Sequence, residues 1–266
     1  MTDRYRQSTR PPLLLVALGL IGLAVFLVPF LGLLSRVPWS ELLGLFAGEV
    51  VTDALRLSVI TSLAATGIAV VIGIPLAWLL ARVEFPGRSF ARGLVVLPLV
   101  LPPVVGGAAL LFALGRRGLI GEPLNQATGL VLPFSTWGVI IANTFVAMPF
   151  LVITVEAALR NLDQRYEGAA STLGAGRWTV LRRVTLPMIA PSLIAGLVLT
   201  WARALGEFGA TITFAGNLQG RTQTLPLAVF VALESDRDTA VALSLLMVVV
   251  SLVVLIVLRD RWWKAL

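Results

Sequence analysis

The chain has 266 residues, 58% of them hydrophobic and only 13% charged, whereas soluble domains carry about 25% charged residues; a chain of this composition is solvated by lipid. It contains no cysteine and no histidine, which excludes disulfides, thiolate zinc sites, imidazole bases and histidine proton relays. The net charge of +7 is scattered beside apolar runs, so it reads as a topology signal and not as affinity for nucleic acid.

A hydrocarbon core about 30 Å thick needs about 20 apolar residues per helix. Six stretches qualify, at 13–34, 54–81, 93–114, 136–159, 187–215 and 239–258. No period-two alternation points to a barrel, so each is expected to be a helix that satisfies its own backbone. The expected organisation is a tail at 1–12, one membrane domain at 13–258 and a second tail at 259–266. Arg4, Arg6 and Arg10 ahead of the first run imitate a signal peptide, but the run is too long and no small-residue cleavage site follows. It is expected to be a retained first span.

In the second span, Gly67, Gly73 and Pro75 predict close packing and a kink. The third carries Pro98, Pro102, Pro103, Gly106 and Gly107. Each buried proline removes a backbone hydrogen bond, and freed backbone at membrane depth is tolerated where protein covers it or where it lines a cavity. Pro102, Pro103 and Gly106 are therefore candidates for a translocation path, with a plain helix kink as the alternative. In the fourth span, Asn143 and Thr144 suit hydrogen bonds between helices, as do Thr200 and Thr211 further on. Glu156 and Arg160 are spaced to pair.

The polar interruption that follows reads YEGAASTLGAGRWTVLRRVTLP, Tyr166 to Pro187. Asp163 is placed to cap a short helix on which Tyr166, Ala169, Ala170 and Leu173 form one apolar stripe. Gly174 lets the chain turn. Trp178 to Val184 suits a second short helix with Arg177, Arg182 and Arg183 on its wet side, and Pro187 fits the first turn of the next span. From spacing alone, an amphipathic helix lying on lipid headgroups accounts for the same pattern.

In the fifth span, Arg203 and Glu207 lie four apart and share a face. Ionisable residues inside a membrane mark a pathway or a structural ion pair, and both readings stay open. Phe208, beside Gly209, is a candidate gate. Asp236 and Asp238 in the last loop suit solvation better than metal binding.

An even number of spans puts both termini on one side. That side collects Arg4, Arg6, Arg10, Arg82, Arg88, Arg92, Arg160, Arg165, Arg177, Arg182, Arg183, Arg259, Arg261 and Lys264, against Arg36, Arg56, Arg116, Arg117, Arg221 and Arg237 opposite. By the positive-inside rule both termini and the 160–186 loop are expected in the cytoplasm, with Trp137, Trp262 and Trp263 at the interfaces. No phosphate-binding loop occurs, and the single lysine is Lys264.

Glu167, Ala169, Ala170 and Gly174, followed after nine residues by Val184, Leu186 and Pro187, resemble the EAA loop of bacterial ABC-importer permeases. LPLVLPPVVGGAALLFALGRRGLIG (97–121) and WARALGEFGATITFAGNLQGRTQTLPLAVF (201–230) are similar to the permease subunits of molybdate importers, with sulfate permeases as near relatives. The resemblance implies an all-α membrane protein of six transmembrane helices with the type I ABC-importer (MetI-like) permease fold. It implies a multi-pass subunit of the plasma membrane, paired with a second copy of itself. It further implies a cytoplasmic ABC ATPase dimer below and an extracytoplasmic molybdate-binding protein above, which Asp236 and Asp238 together with Arg221, Glu234 and Arg237 could meet. In that family the short helix sits in a cleft of the ATPase, which makes Glu167, Ala169, Ala170 and Gly174 contact residues, with Leu173 and Arg177 beside them. Gly168 departs from the family's second alanine. ATP and magnesium would belong to the partner, with no cofactor, metal or catalytic residue in this chain. Molybdate or tungstate is the implied cargo. A sulfate or thiosulfate permease is the alternative, and an ion-gradient-driven transporter, which usually shows an internal repeat, ranks behind both.

Overall fold

A computed structural model describes residues 13–262, with side chains described for all of these except 254, 255 and 257–262. Arg4, Arg6, Arg10, Trp263 and Lys264 lie outside the described residues, as do the side chains of Arg259, Arg261 and Trp262. Among the described residues every regular element is helical.

α1 (Leu13–Leu34) is a leucine-rich rod with a mean hydropathy of 2.8 and no buried residue. Near its end Leu33 packs with Val37, Val241 and Leu245. After the short α2 (Leu42–Phe46), α3 (Glu49–Ile68) runs through a π-helical segment, Ala69–Gly73, into α4 (Ile74–Arg82). The result is one rod of 34 residues. A second rod of 29 residues repeats the device: α10 (Arg177–Val180), a π-helical Leu181–Thr185, then α11 (Leu186–Leu205). In both, a proline follows two residues behind the π segment, Pro75 in one and Pro187 in the other. Proline cannot donate to the preceding turn and crowds its carbonyl; one extra residue per turn relieves the crowding without breaking the rod.

The expected third span is two helices, α5 (Arg88–Val100) and α6 (Pro103–Leu114). Leu101 and Pro102 between them are extended, with ψ of 140° and 130°. Each precedes a proline, which disfavours the helical conformation. The expected fifth span likewise stops at Leu205. A turn at Gly206 to Phe208 leads into α12 (Gly209–Phe214). α7 (Gly121–Thr128) and α13 (Leu225–Ser235) are further short helices; α13 was not anticipated. α14 (Arg237–Trp262) extends the expected last span at both ends and takes in part of the expected 259–266 tail. Among the described residues four helices are long and apolar enough to cross a membrane: Leu13–Leu34, Glu49–Arg82, Thr136–Asn161 and Arg177–Leu205.

α8 (Thr136–Asn161) is the hub, packed by α3, α4, α5, α11 and α12. Ser135 starts it by accepting the Gly138 N–H at 3.1 Å. Its Leu151, Val152, Val155 and Leu159 meet Leu80 and Ile189 in the largest buried cluster. Lipid offers little apolar driving force between helices, so contact relies on small residues that let backbones approach. A Cβ on Gly107 would lie 2.7 Å from the Ala210 carbonyl oxygen, and one on Gly73 would lie 3.2 Å from Met148 Cγ. Gly67 faces open space instead; of the two glycines expected to mark close packing in the second span, Gly73 does.

Candidate functional site

The short helix expected in the polar interruption is α9 (Arg165–Thr172). Asp163 caps its start by accepting the Arg165 N–H at 2.9 Å. Its end closes with a paired turn: the Gly174 N–H donates to Ser171 O at 3.0 Å and the Ala175 N–H to Ala170 O at 3.1 Å. That closure needs a left-handed residue, and Gly174 has φ +85°. A Cβ there would meet nothing within 4 Å, so conformation and not space selects glycine.

The two faces of α9 differ. Tyr166 is 57% exposed and Leu173 89%, with exposed Ala169 between them. Trp178, 62% exposed, continues the apolar surface, and the Arg182 guanidinium sits 4.6 Å above its ring. The adjoining face carries Glu167, whose Oε1 accepts from Arg82 Nη2 at 3.2 Å and from the Thr185 hydroxyl at 2.6 Å. Glu167 was expected on the partner-facing side with Ala169, Ala170 and Gly174; its carboxylate is instead turned onto its own chain. Ala170 is half-buried, and Arg177 is exposed at the rim of a cavity of about 890 Å³. Val71, Trp78 and Arg82 line one wall of that cavity, Trp178, Leu181 and Ile189 the other.

The arginines read above as topology markers fasten this end of the bundle. Arg88 donates to the carbonyls of Leu80 (2.8 Å) and Ala81 (3.2 Å), which closes the C-terminus of α4 where cations are favoured. Arg92 donates to Glu156 through Nε at 2.8 Å and again through Nη2. Glu156 is thus held more tightly by α5 than by Arg160, which stands 3.7 Å away.

The second candidate cluster lies where α6 meets the α11–α12 corner. Glu207 is 1% exposed; its Oε2 is 2.6 Å from Arg203 Nη1, and its Oε1 accepts the Ala210 N–H at 2.8 Å. The carboxylate therefore closes the start of α12 and pairs with Arg203. A Cβ on Gly209 would lie 2.9 Å from Pro103 Cβ, and one on Gly106 3.1 Å from Phe145 Cε1. Gly106, Glu207 and Gly209 are buried in this joint. Pro102 and Pro103 are exposed. Phe208 stacks on Phe230 of α13, centroids 5.3 Å apart and tilted by 53°.

Sequence reasoning missed Arg82 and Thr185 as the partners of Glu167, since they stand 85 and 18 residues away. It missed Phe230 for want of α13. The only advance signal was the density of arginine near one end of each rod.

A bundle built on broken and π-bulged rods, with one amphipathic helix held out at its arginine-rich end, is the architecture of a transport subunit. Residues 69–266 match the family described as "Binding-protein-dependent transport system inner membrane component"; the chain belongs to that family and is a membrane protein. It is 48% identical to the molybdenum transport system permease protein ModB of Mycobacterium bovis, over 91% of this chain and 92% of that one. With ModB of Escherichia coli K12 the identity is 41%, over 80% and 95%. With the sulfate transport system permease protein CysT of the same organism it is 35%, over 84% and 80%. The fold is shared with a crystal structure of a bacterial ABC transporter that imports the polysaccharide alginate, at TM-score 0.70 and 21% identity over 93% and 94% of the two chains.

Proposed function

We propose that this chain is the permease subunit of an ATP-driven molybdate importer of the plasma membrane. Two copies form the membrane domain, with both termini and α9 on the cytoplasmic side. The observation that carries the reading is the unpartnered stripe Tyr166–Ala169–Leu173, on a helix whose inner face is already bonded to its own chain. A rigid helix fixed on one face and bare on the other suits capture in a cleft of a cytoplasmic ATPase, which would hold the ATP and magnesium. Closure of two such ATPases would carry both α9 helices inward and rock the rods that they adjoin, exposing a path to each side in turn. An extracytoplasmic binding protein would select the anion, so the permease needs no tight site of its own.

The likeness to molybdenum permeases, higher than to the sulfate permease of the same organism, supports molybdate as cargo. The test has two parts. Leu173→Asp should abolish co-purification of the ATPase and with it anion uptake; intact co-purification would sink the docking role. Expression of the intact importer should restore molybdate accumulation in excess sulfate, read as cellular molybdenum. Full inhibition by sulfate would point to the sulfate alternative.

A further inference from the structure

We propose that the cavity between the two π-bulged rods is a binding site for one anionic phospholipid, with an acyl chain between the rods and the phosphate at Arg177. Both rods pack on α8 and leave a gap between themselves. At about 890 Å³ the gap falls among ligand pockets, which span about 300–1,000 Å³. One wall runs from Val70 to Arg82 and the other from Arg177 to Ile189. Twelve steps at about 1.5 Å make each wall about 18 Å long. One leaflet of the hydrocarbon core is about 15 Å deep. The cavity thus has the reach of one leaflet and not of the whole membrane.

The chemistry changes along that length. Val71, Ile74, Leu186 and Ile189 make the deep part apolar. Trp78 and Trp178 follow, one on each wall, and indoles prefer the membrane interface. Beyond them come Arg82, Gln164, Ser171 and Arg177. Tail, interface and headgroup meet their matching surfaces in that order. Two arginines line the cavity against one acid, Glu167. Arg82 is bonded to Glu167, whereas Arg177 has no ion-pair partner among the described residues. The rim therefore keeps one unneutralised cation, and Arg182 above the Trp178 ring stands beside it. Basic pockets between membrane helices on the cytoplasmic side take anionic headgroups. A free phosphate would satisfy Arg177 and leave the apolar walls bare, which selects the lipid. Both π segments open on this space, through Val70 and Val71 in one and Leu181 and Thr185 in the other, and π turns recur at functional sites. Lipid binding here is independent of whether an ATPase docks on α9.

The test titrates the purified transporter, with its partner subunits and in mild detergent, and counts bound lipid by native mass spectrometry. The probes are phosphatidylglycerol, net-neutral phosphatidylcholine of the same chains, and inorganic phosphate. The parent should bind one phosphatidylglycerol per permease chain about tenfold more tightly than phosphatidylcholine, the scale of one charge-assisted bond. Inorganic phosphate should not displace it. Arg177→Gln, at an exposed position that does not threaten the fold, should erase the preference. Val71→Trp puts a larger apolar group at a site already 71% exposed and should weaken both lipids by filling the cavity. Equal affinity of the parent for the two lipids, a preference that survives Arg177→Gln, or binding unchanged by Val71→Trp each overturns the proposal. Displacement by phosphate assigns the rim to a free anion and overturns it too. So does the absence of a saturable first site, the result expected if a helix of a second copy fills the gap. Leu173→Asp should bind lipid as the parent does, so failure of the docking role and failure of the lipid site are read separately.

Discussion

The carboxylate of Glu207 ties together the corner between α11 and α12. It is almost fully buried, shares its charge with Arg203, and closes the start of α12. Arg203→Ala leaves that charge buried and unpaired, and breaking such a pair costs about 3–5 kcal/mol. Arg203→Ala/Glu207→Gln removes the charge as well and keeps an oxygen for the Ala210 N–H, so it should recover much of the loss. Thermal unfolding in detergent checks the order; a double variant less stable than Arg203→Ala would be the wrong result. Asp236, in the loop ahead of α14, behaves as a cap and not as a free loop charge. Its carboxylate accepts from the Thr239 hydroxyl at 2.6 Å and from the N–H groups of Thr239 and Asp238. Those bonds, the hydroxyl's first, hold its pKa below the ordinary 3.8. A depressed pKa contributes stability above the unfolded value that is lost as pH falls through the folded one. Asp236→Asn should therefore melt below the parent at neutral pH, and the two should converge in acid below about pH 4.

Among the elements, the joint of α6 with α12 depends on a missing side chain. A methyl at Gly107 would press on the Ala210 backbone at 2.7 Å and on Thr213 at 2.8 Å, so Gly107→Ala must push two helices apart, at about 1–3 kcal/mol. Gly22→Ala in α1 meets nothing within 4 Å and replaces a mid-helix glycine by a better helix former, so it should be neutral or stabilising by up to about 1 kcal/mol; equal melting points for the two variants would contradict the packing described. The same joint shows what the amino-acid order reveals and what it withholds. Long apolar runs announced α8, both rods and α14, because twenty lipid-facing residues leave no other way to satisfy a backbone. The cap, stripe and glycine of α9 were legible because they are local. The break at Leu101 was half-legible: three prolines promised distortion, but only the extended ψ at two successive pre-proline residues turned one span into two helices. α13 escaped because eleven residues are too few for a span, and its apolar run reads equally as loop. The inward turn of Glu167 was hidden for a different reason, since its partners come from other rods and no periodicity encodes a contact across 85 positions.

For the whole molecule, the arginine asymmetry predicts an orientation that can be tested without disturbing any of these contacts. α7 precedes α8 and α9 follows it, and α8 is a single helix of 26 residues, about 39 Å at 1.5 Å per residue. That length exceeds the hydrocarbon core of about 30 Å, so one pass of α8 places α7 and α9 on opposite faces however many helices cross in all. Arg82, Arg88, Arg92, Arg160, Arg165, Arg177, Arg182 and Arg183 gather at the α9 end, whereas Arg36, Arg56, Arg116, Arg117, Arg203, Arg221 and Arg237 lie away from it. Membranes retain basic loops on the cytoplasmic side. The chain has no cysteine, so single thiols report position without background. Ala127 in α7 and Gly168 in α9 are both exposed. Ala127→Cys should react with an impermeant maleimide added outside intact cells, and Gly168→Cys only after the membrane is opened. The reverse labelling would put α9 where no cytoplasmic ATPase can reach it. The docking role would then fall, while the packing of α8 against its neighbours would stand.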